Sequence, residues 1–72
     1  MVQAGSFRDP ENARYLVRDL EARGFEARLL EKTVGEARYY RVVVGEELSP
    51  ESAQALILRL KDAGFESFLL LD

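Results

Sequence analysis

Chemistry in this chain has few places to come from. It contains neither cysteine nor histidine, which excludes disulfides, thiolate metal sites, and the commonest metal ligand and general base. Charged residues such as Glu21, Arg23, Glu31, Glu36, Glu46 and Glu47 read as solvated helix surface, strand edge or turn. Cleaving a glycosidic bond needs two carboxylates facing each other across a cleft, so no catalytic residue, metal or cofactor is expected and the chain reads as a binding domain, not an enzyme. Residues suited to recognition are more informative. Arg41 follows Tyr39 by two positions in Tyr39-Tyr40-Arg41-Val42-Val43-Val44, and Gln3 lies between Val2 and Ala4. A guanidinium takes a carboxylate through two parallel hydrogen bonds, in a planar geometry that lysine lacks. A tyrosine lies against a flat apolar surface while its hydroxyl stays wet, and amide and hydroxyl groups such as those of Gln3 and Ser6 both donate and accept.

Those side chains act together only if the backbone brings them onto one surface, and an internal repeat indicates how. At an offset of 40 residues, Gly5, Pro10, Ala13, Leu16, Leu20, Gly24, Phe25 and Leu29 recur as Gly45, Pro50, Ala53, Leu56, Leu60, Gly64, Phe65 and Leu69. The 72 residues therefore read as one domain of two like units, about 2–31 and 42–71. Each unit opens with a short apolar run ended by a glycine, Val2 to Ala4 in the first and Arg41 to Val44 in the second. Asp9 and Ser49 are placed to cap helices, with Pro10 and Pro50 at the first helical position and Glu11 and Glu51 beside the positive end. Ala13, Leu16, Val17 and Leu20 keep helical spacing on one face, as do Ala53, Leu56, Ile57 and Leu60. Gly24 and Gly64 sit where a left-handed residue ends a helix, with Phe25 and Phe65 behind them to pack back on the last turn. Further strands are expected over about 26–33 and 66–71, and Gly35 turns the chain into the strand beginning near Arg38. The order β-α-β-β-α-β predicts an α+β, ferredoxin-like (RNP-like) fold, a four-stranded antiparallel sheet with both helices on one face.

The other sheet face stays uncovered, and alternation says what it displays. Arg41 has no place in a helix-covered core, so Tyr39, Arg41 and Val43 face outward and Tyr40, Val42 and Val44 inward. The same test sends Gln3 outward. Strict alternation then adds Gly5 to the face of Gln3, as a hollow for the close approach of a ligand, and Ser6 joins Gln3 only if the strand bulges or turns at Gly5. The run Phe68-Leu69-Leu70-Leu71 is apolar on both faces, which leaves its phase open and directs at least one leucine pair outward, as a binding surface or a dimer contact. A net charge of −3 and a pI near 4.9 disfavour nucleic acid, which requires a basic stripe. No transmembrane run or targeting segment is visible, so Met1 opens either a cytosolic protein or a domain cut from a longer one, and no direct membrane contact is expected.

Four segments then coincide: Val2-Gln3-Ala4-Gly5-Ser6-Phe7, a capped helix ending in Gly24-Phe25, the stretch from Tyr39 to Gly45, and a second helix ending in Ala63-Gly64-Phe65. Together they resemble the SPOR domain, the sporulation-related repeat, over nearly the whole chain. The resemblance implies a module at the C-terminal end of bacterial envelope proteins, division proteins and wall hydrolases among them. Such a module binds peptidoglycan glycan strands stripped of their stem peptides and targets its parent to the septal cell wall. Carried over by position, the family's binding residues fall on Gln3, Ser6, Tyr39 and Arg41, with an apolar contribution near Leu69. Several members have tryptophan where this chain has Tyr39, a departure that keeps a stacking surface and reduces its area. An envelope location, periplasmic or extracytoplasmic, is implied as well, with a parent that is membrane-anchored or fused to a wall hydrolase.

A denuded glycan presents hydroxyls, acetamido groups, flat C–H faces and a lactyl carboxylate on alternate sugars. Gln3 and Ser6 suit the first two, Tyr39 the third and Arg41 the last. The competing reading is a ferredoxin-like regulatory domain that binds a small ligand and dimerises through its sheet. An RNA-recognition version would need aromatic motifs on the central strands, where the first strand has Gln3 and Gly5.

Overall fold

The computed structural model describes residues 1–45 and 49–70. Along the chain run β1 (Val2–Phe7), α1 (Pro10–Ala22), β2 (Ala27–Val34), β3 (Ala37–Val44), α2 (Pro50–Asp62) and β4 (Phe68–Leu69). The strands form one antiparallel sheet in the order β2-β3-β1-β4, with β3 and β1 as the central pair. This is the expected ferredoxin-like arrangement.

The helices begin and end where local chemistry requires. At the start of α1 the Asp9 carboxylate accepts the Glu11 N–H at 2.9 Å, and at the start of α2 the Ser49 hydroxyl accepts the Ser52 N–H at 3.2 Å. Pro10 and Pro50 each follow their cap, where a missing N–H costs nothing. At the far ends Gly24 and Gly64 take φ of +86° and +93°, conformations that a side chain would strain. The chain then folds back identically in both units. Phe25 N–H donates to Leu20 O at 3.0 Å, and Phe65 N–H donates to Leu60 O at 2.8 Å, closing the last turn over a phenylalanine.

Both helices lay their apolar stripes on one sheet face. The core joins Val2, Val42 and Val44 of the sheet to Ala13 and Leu20 of α1, Ala53 and Leu60 of α2, and Phe25. Leu20 and Leu60, equivalent in the repeat, are fully buried, each contributing roughly 2 kcal/mol through area removed from water. Where the two units meet, Phe25 and Phe65 pack edge to face with ring centroids 6.4 Å apart. Arg59 lies over Phe25 at 5.5 Å and Arg23 over Phe65 at 5.6 Å. Arg23 Nη1 also donates to the Ala63 carbonyl at 2.8 Å. Arg23, expected as plain solvated surface, therefore cross-braces the first unit to the end of α2.

The structure differs from the sequence-based boundaries at two strands. β1 does not stop at Gly5 but continues to Phe7, because the strand absorbs an extra residue and resumes pairing. β4 is only two residues long, extended by Leu70, whose N–H donates to Met1 O at 2.8 Å. Leu71, Glu46 and Glu47 lie outside the described residues. No helix is long and apolar enough to cross a membrane.

Candidate ligand-binding face

The register decides which residues share the open face. On β3, Val42 and Val44 belong to the core, so Tyr39, Arg41 and Val43 point away from the helices. Paired residues point the same way. Opposite Val43 are Arg28 on β2 and Gln3 on β1, and opposite Gln3 is Phe68 on β4. Opposite Arg41 are Leu30 and Ser6, and opposite Tyr39 is Lys32. The face is thus a small lattice: Arg28-Val43-Gln3-Phe68 in one row, Leu30-Arg41-Ser6 in the next, Lys32-Tyr39 in the third.

A bulge makes this lattice possible. Between Gln3 and Gly5 the register of β1 shifts against β3, so that Gln3 pairs with Val43 and Gly5 with Val42. Ala4 is the additional residue. Without it Ser6, three positions after Gln3, would point into the helix layer; with it both polar side chains face outward. The same shift corrects the expectation for Gly5, which faces the helices and offers no hollow to a ligand. A Cβ there would stand 2.9 Å from Leu16 Cδ2 and from the Phe7 ring. Its small size serves the approach of α1 to the sheet.

Leu69 also needs correcting. It pairs with Val2 and packs against the core, because the phase set by β1 turns it toward the helices. Phe68 takes the outward position beside Gln3. Apolar residues on both sides of β4 carry no alternation signal, so only the pairing with β1 reveals this.

Charge is segregated on the molecule. The outward positions of the described strands hold three cations, Arg28, Lys32 and Arg41, and no carboxylate. Glu31, the acidic residue of β2, pairs with Tyr40 on the other face, where it meets Arg38 at 3.0 Å. Arg41 engages no carboxylate among the described residues, so the surface ion pair that would make it inert is not formed. Gln3 is only 6% exposed and its Oε1 is buried without a hydrogen-bond partner. Clefts on the helix layer and at the sheet end are lined by other residues, Glu11, Arg14, Tyr15 and Arg18 in one of them. Gln3, Ser6, Tyr39 and Arg41 instead lie on a continuous surface, a shape suited to a polymer rather than an enclosed small molecule.

Comparison with known proteins agrees with this geometry. The chain resembles the solution structure of the peptidoglycan binding domain of the B. subtilis cell wall lytic enzyme CwlC, with a TM-score of 0.82 and 35% identity, covering 99% of this chain and 85% of that one. It is 46% identical over 68 residues to an uncharacterized protein of Treponema pallidum (strain Nichols); the match takes in 94% of this chain and spans only 17% of the length of that relative. The SPOR domain model matches residues 1–71, and with the fold, the repeat and the motifs in agreement, the chain belongs to the SPOR domain family.

Proposed function

We propose that this domain binds peptidoglycan on its open sheet face, taking glycan strands freed of their stem peptides, and thereby targets a bacterial envelope or division protein to the septal wall. The observation that carries this reading is the bulged register of β1. It aligns Ser6 with Arg41 and keeps Gln3 on the same side, assembling on one surface the groups a denuded glycan requires. The similarity to the CwlC domain, which is named for peptidoglycan binding, supports the ligand class. Arg41 takes the lactyl carboxylate that amide cleavage uncovers, Tyr39 lies on a sugar face, and Gln3 and Ser6 exchange hydrogen bonds with acetamido and hydroxyl groups. Removal of the stem peptide matters on two counts: it liberates the carboxylate that Arg41 recognises, and it allows the strand to lie flat on the sheet. The domain itself supplies adhesion, and any cutting of the wall belongs to a parent chain.

The test is co-sedimentation with purified sacculi before and after amidase treatment. Amidase treatment is expected to increase binding. Arg41→Ala and Gln3→Ala should each weaken it by about tenfold or more, the value of a charge-assisted or buried hydrogen bond, while circular dichroism shows the fold intact. Retained binding in both variants would remove the site.

A further inference from the structure

Phe68 stands apart from the chain's other phenylalanines. Phe25 is buried and Phe7 and Phe65 are partly covered, all three packing with the core, whereas Phe68 is 51% exposed. It occupies the outward position on β4 directly beside Gln3, in the row that Val43 and Gln3 form. Both of those neighbours are buried. The row therefore has a dry floor with an aromatic ring at its edge, next to a carboxamide oxygen that lacks a partner.

At the opposite corner of the face is Tyr39. With strands about 4.8 Å apart and a rise near 3.4 Å per residue, two strands across and four residues along place Phe68 roughly 16 Å from Tyr39. Arg41, Ser6 and Gln3 lie between them. We propose that Phe68 is a second aromatic platform for the glycan, so that the strand crosses the sheet obliquely from Tyr39 to Phe68 and the domain favours chains long enough to reach both. This rests on the reading above and adds to it a direction, a length preference and a residue. A phenylalanine ring offers a rigid apolar surface to sugar C–H faces at small entropic cost. A second copy of this chain is a poorer occupant, because one ring exposes at most about 250 Å², well below the roughly 800 Å² per partner of a stable interface.

The experiment is calorimetric titration of the wild type, Phe68→Ala and Phe68→Leu with a short and a long oligosaccharide, prepared from amidase-treated glycan and separated by size. The wild type should bind the long chain more tightly than the short one. Both variants should lose about tenfold on the long chain, the worth of one aromatic contact, and a smaller factor on the short one. Phe68→Leu retains apolar bulk without the ring, and urea denaturation checks that each variant is folded. Equal affinities of variants and wild type for the long chain, or one uniform loss at both lengths, would overturn the role of Phe68 while leaving the glycan site standing. A wild type that binds neither length would overturn the proposed function itself. A wild-type mass in sedimentation equilibrium that doubles, and returns to monomer in Phe68→Ala, would assign the ring to self-association instead.

Discussion

Gln3 bears a conflict between folding and binding. A buried oxygen without a partner costs a domain of this size about 1–3 kcal/mol, a large share of a marginal stability, yet the carboxamide stays on the face where the ligand is proposed to lie. Replacing it with an apolar side chain of similar length removes the unmet hydrogen bond. Gln3→Met is expected to raise stability by about 1 kcal/mol, read as a higher urea midpoint at unchanged slope, and to weaken sedimentation with amidase-treated sacculi. A lowered midpoint would mean that the carboxamide is satisfied in the free domain. Residues at this scale differed in how far their sequence spoke for them. Arg41 could be placed outward at once because a guanidinium has no place beneath the helices. Leu69 and Phe68 could not be assigned, since burial is equally favourable for either and only their partners on β1 choose.

Among the elements, the bulged β1 decides the most. It sets Ser6 across from Arg41 and turns Gly5 toward α1. Its φ is not positive, so what Gly5 provides is room. A methyl group there would press on Leu16 Cδ2 and the Phe7 ring, both able to shift at some cost. Gly5→Ala should therefore destabilise the fold by about 1–2 kcal/mol, measured by urea denaturation, and unchanged stability would show that α1 moves off freely. The helices, in contrast, were legible from end to end. Asp9-Pro10-Glu11, Ser49-Pro50-Glu51, Gly24-Phe25 and Gly64-Phe65 encode starts and stops through interactions within a few residues, and such interactions survive whatever packs around them. The hairpin from β2 to β3 was likewise foreseen from Gly35, which adopts φ +61° in the turn.

For the whole molecule the arrangement of charge outweighs its sum. The chain carries a formal charge of −3, but Arg28, Lys32 and Arg41 share a face whose described strand positions hold no carboxylate. An acidic domain can thus meet a sparsely charged anionic polymer, with its remaining surface opposing non-specific attachment to more acidic chains. Salt should weaken glycan binding only moderately, by less than about tenfold for an order of magnitude in ionic strength, when measured by calorimetry with the long oligosaccharide. A loss of several orders of magnitude would indicate a densely charged polyanion as the ligand. The two-fold repeat acts at this scale as well. Equivalent positions build equivalent helices and caps, but Gly5 and Gly45 diverge: one lies inside a bulged strand, the other ends a strand at φ +72°.

By itself the amino-acid order determined the succession of strands and helices, the apolar stripes and the uncovered sheet face, because hydrophobic period, caps and glycine turns operate over short stretches of chain. It also marked Arg41 and Tyr39 as outward. Only the tertiary structure decided that Ser6 stands across from Arg41, that Gly5 faces the helices, that Phe68 rather than Leu69 reaches the open face, and that Arg23 joins the two units. Each of these depends on register between segments distant in sequence. A shift of one residue reverses which side a side chain occupies, and nothing local to the strand records it.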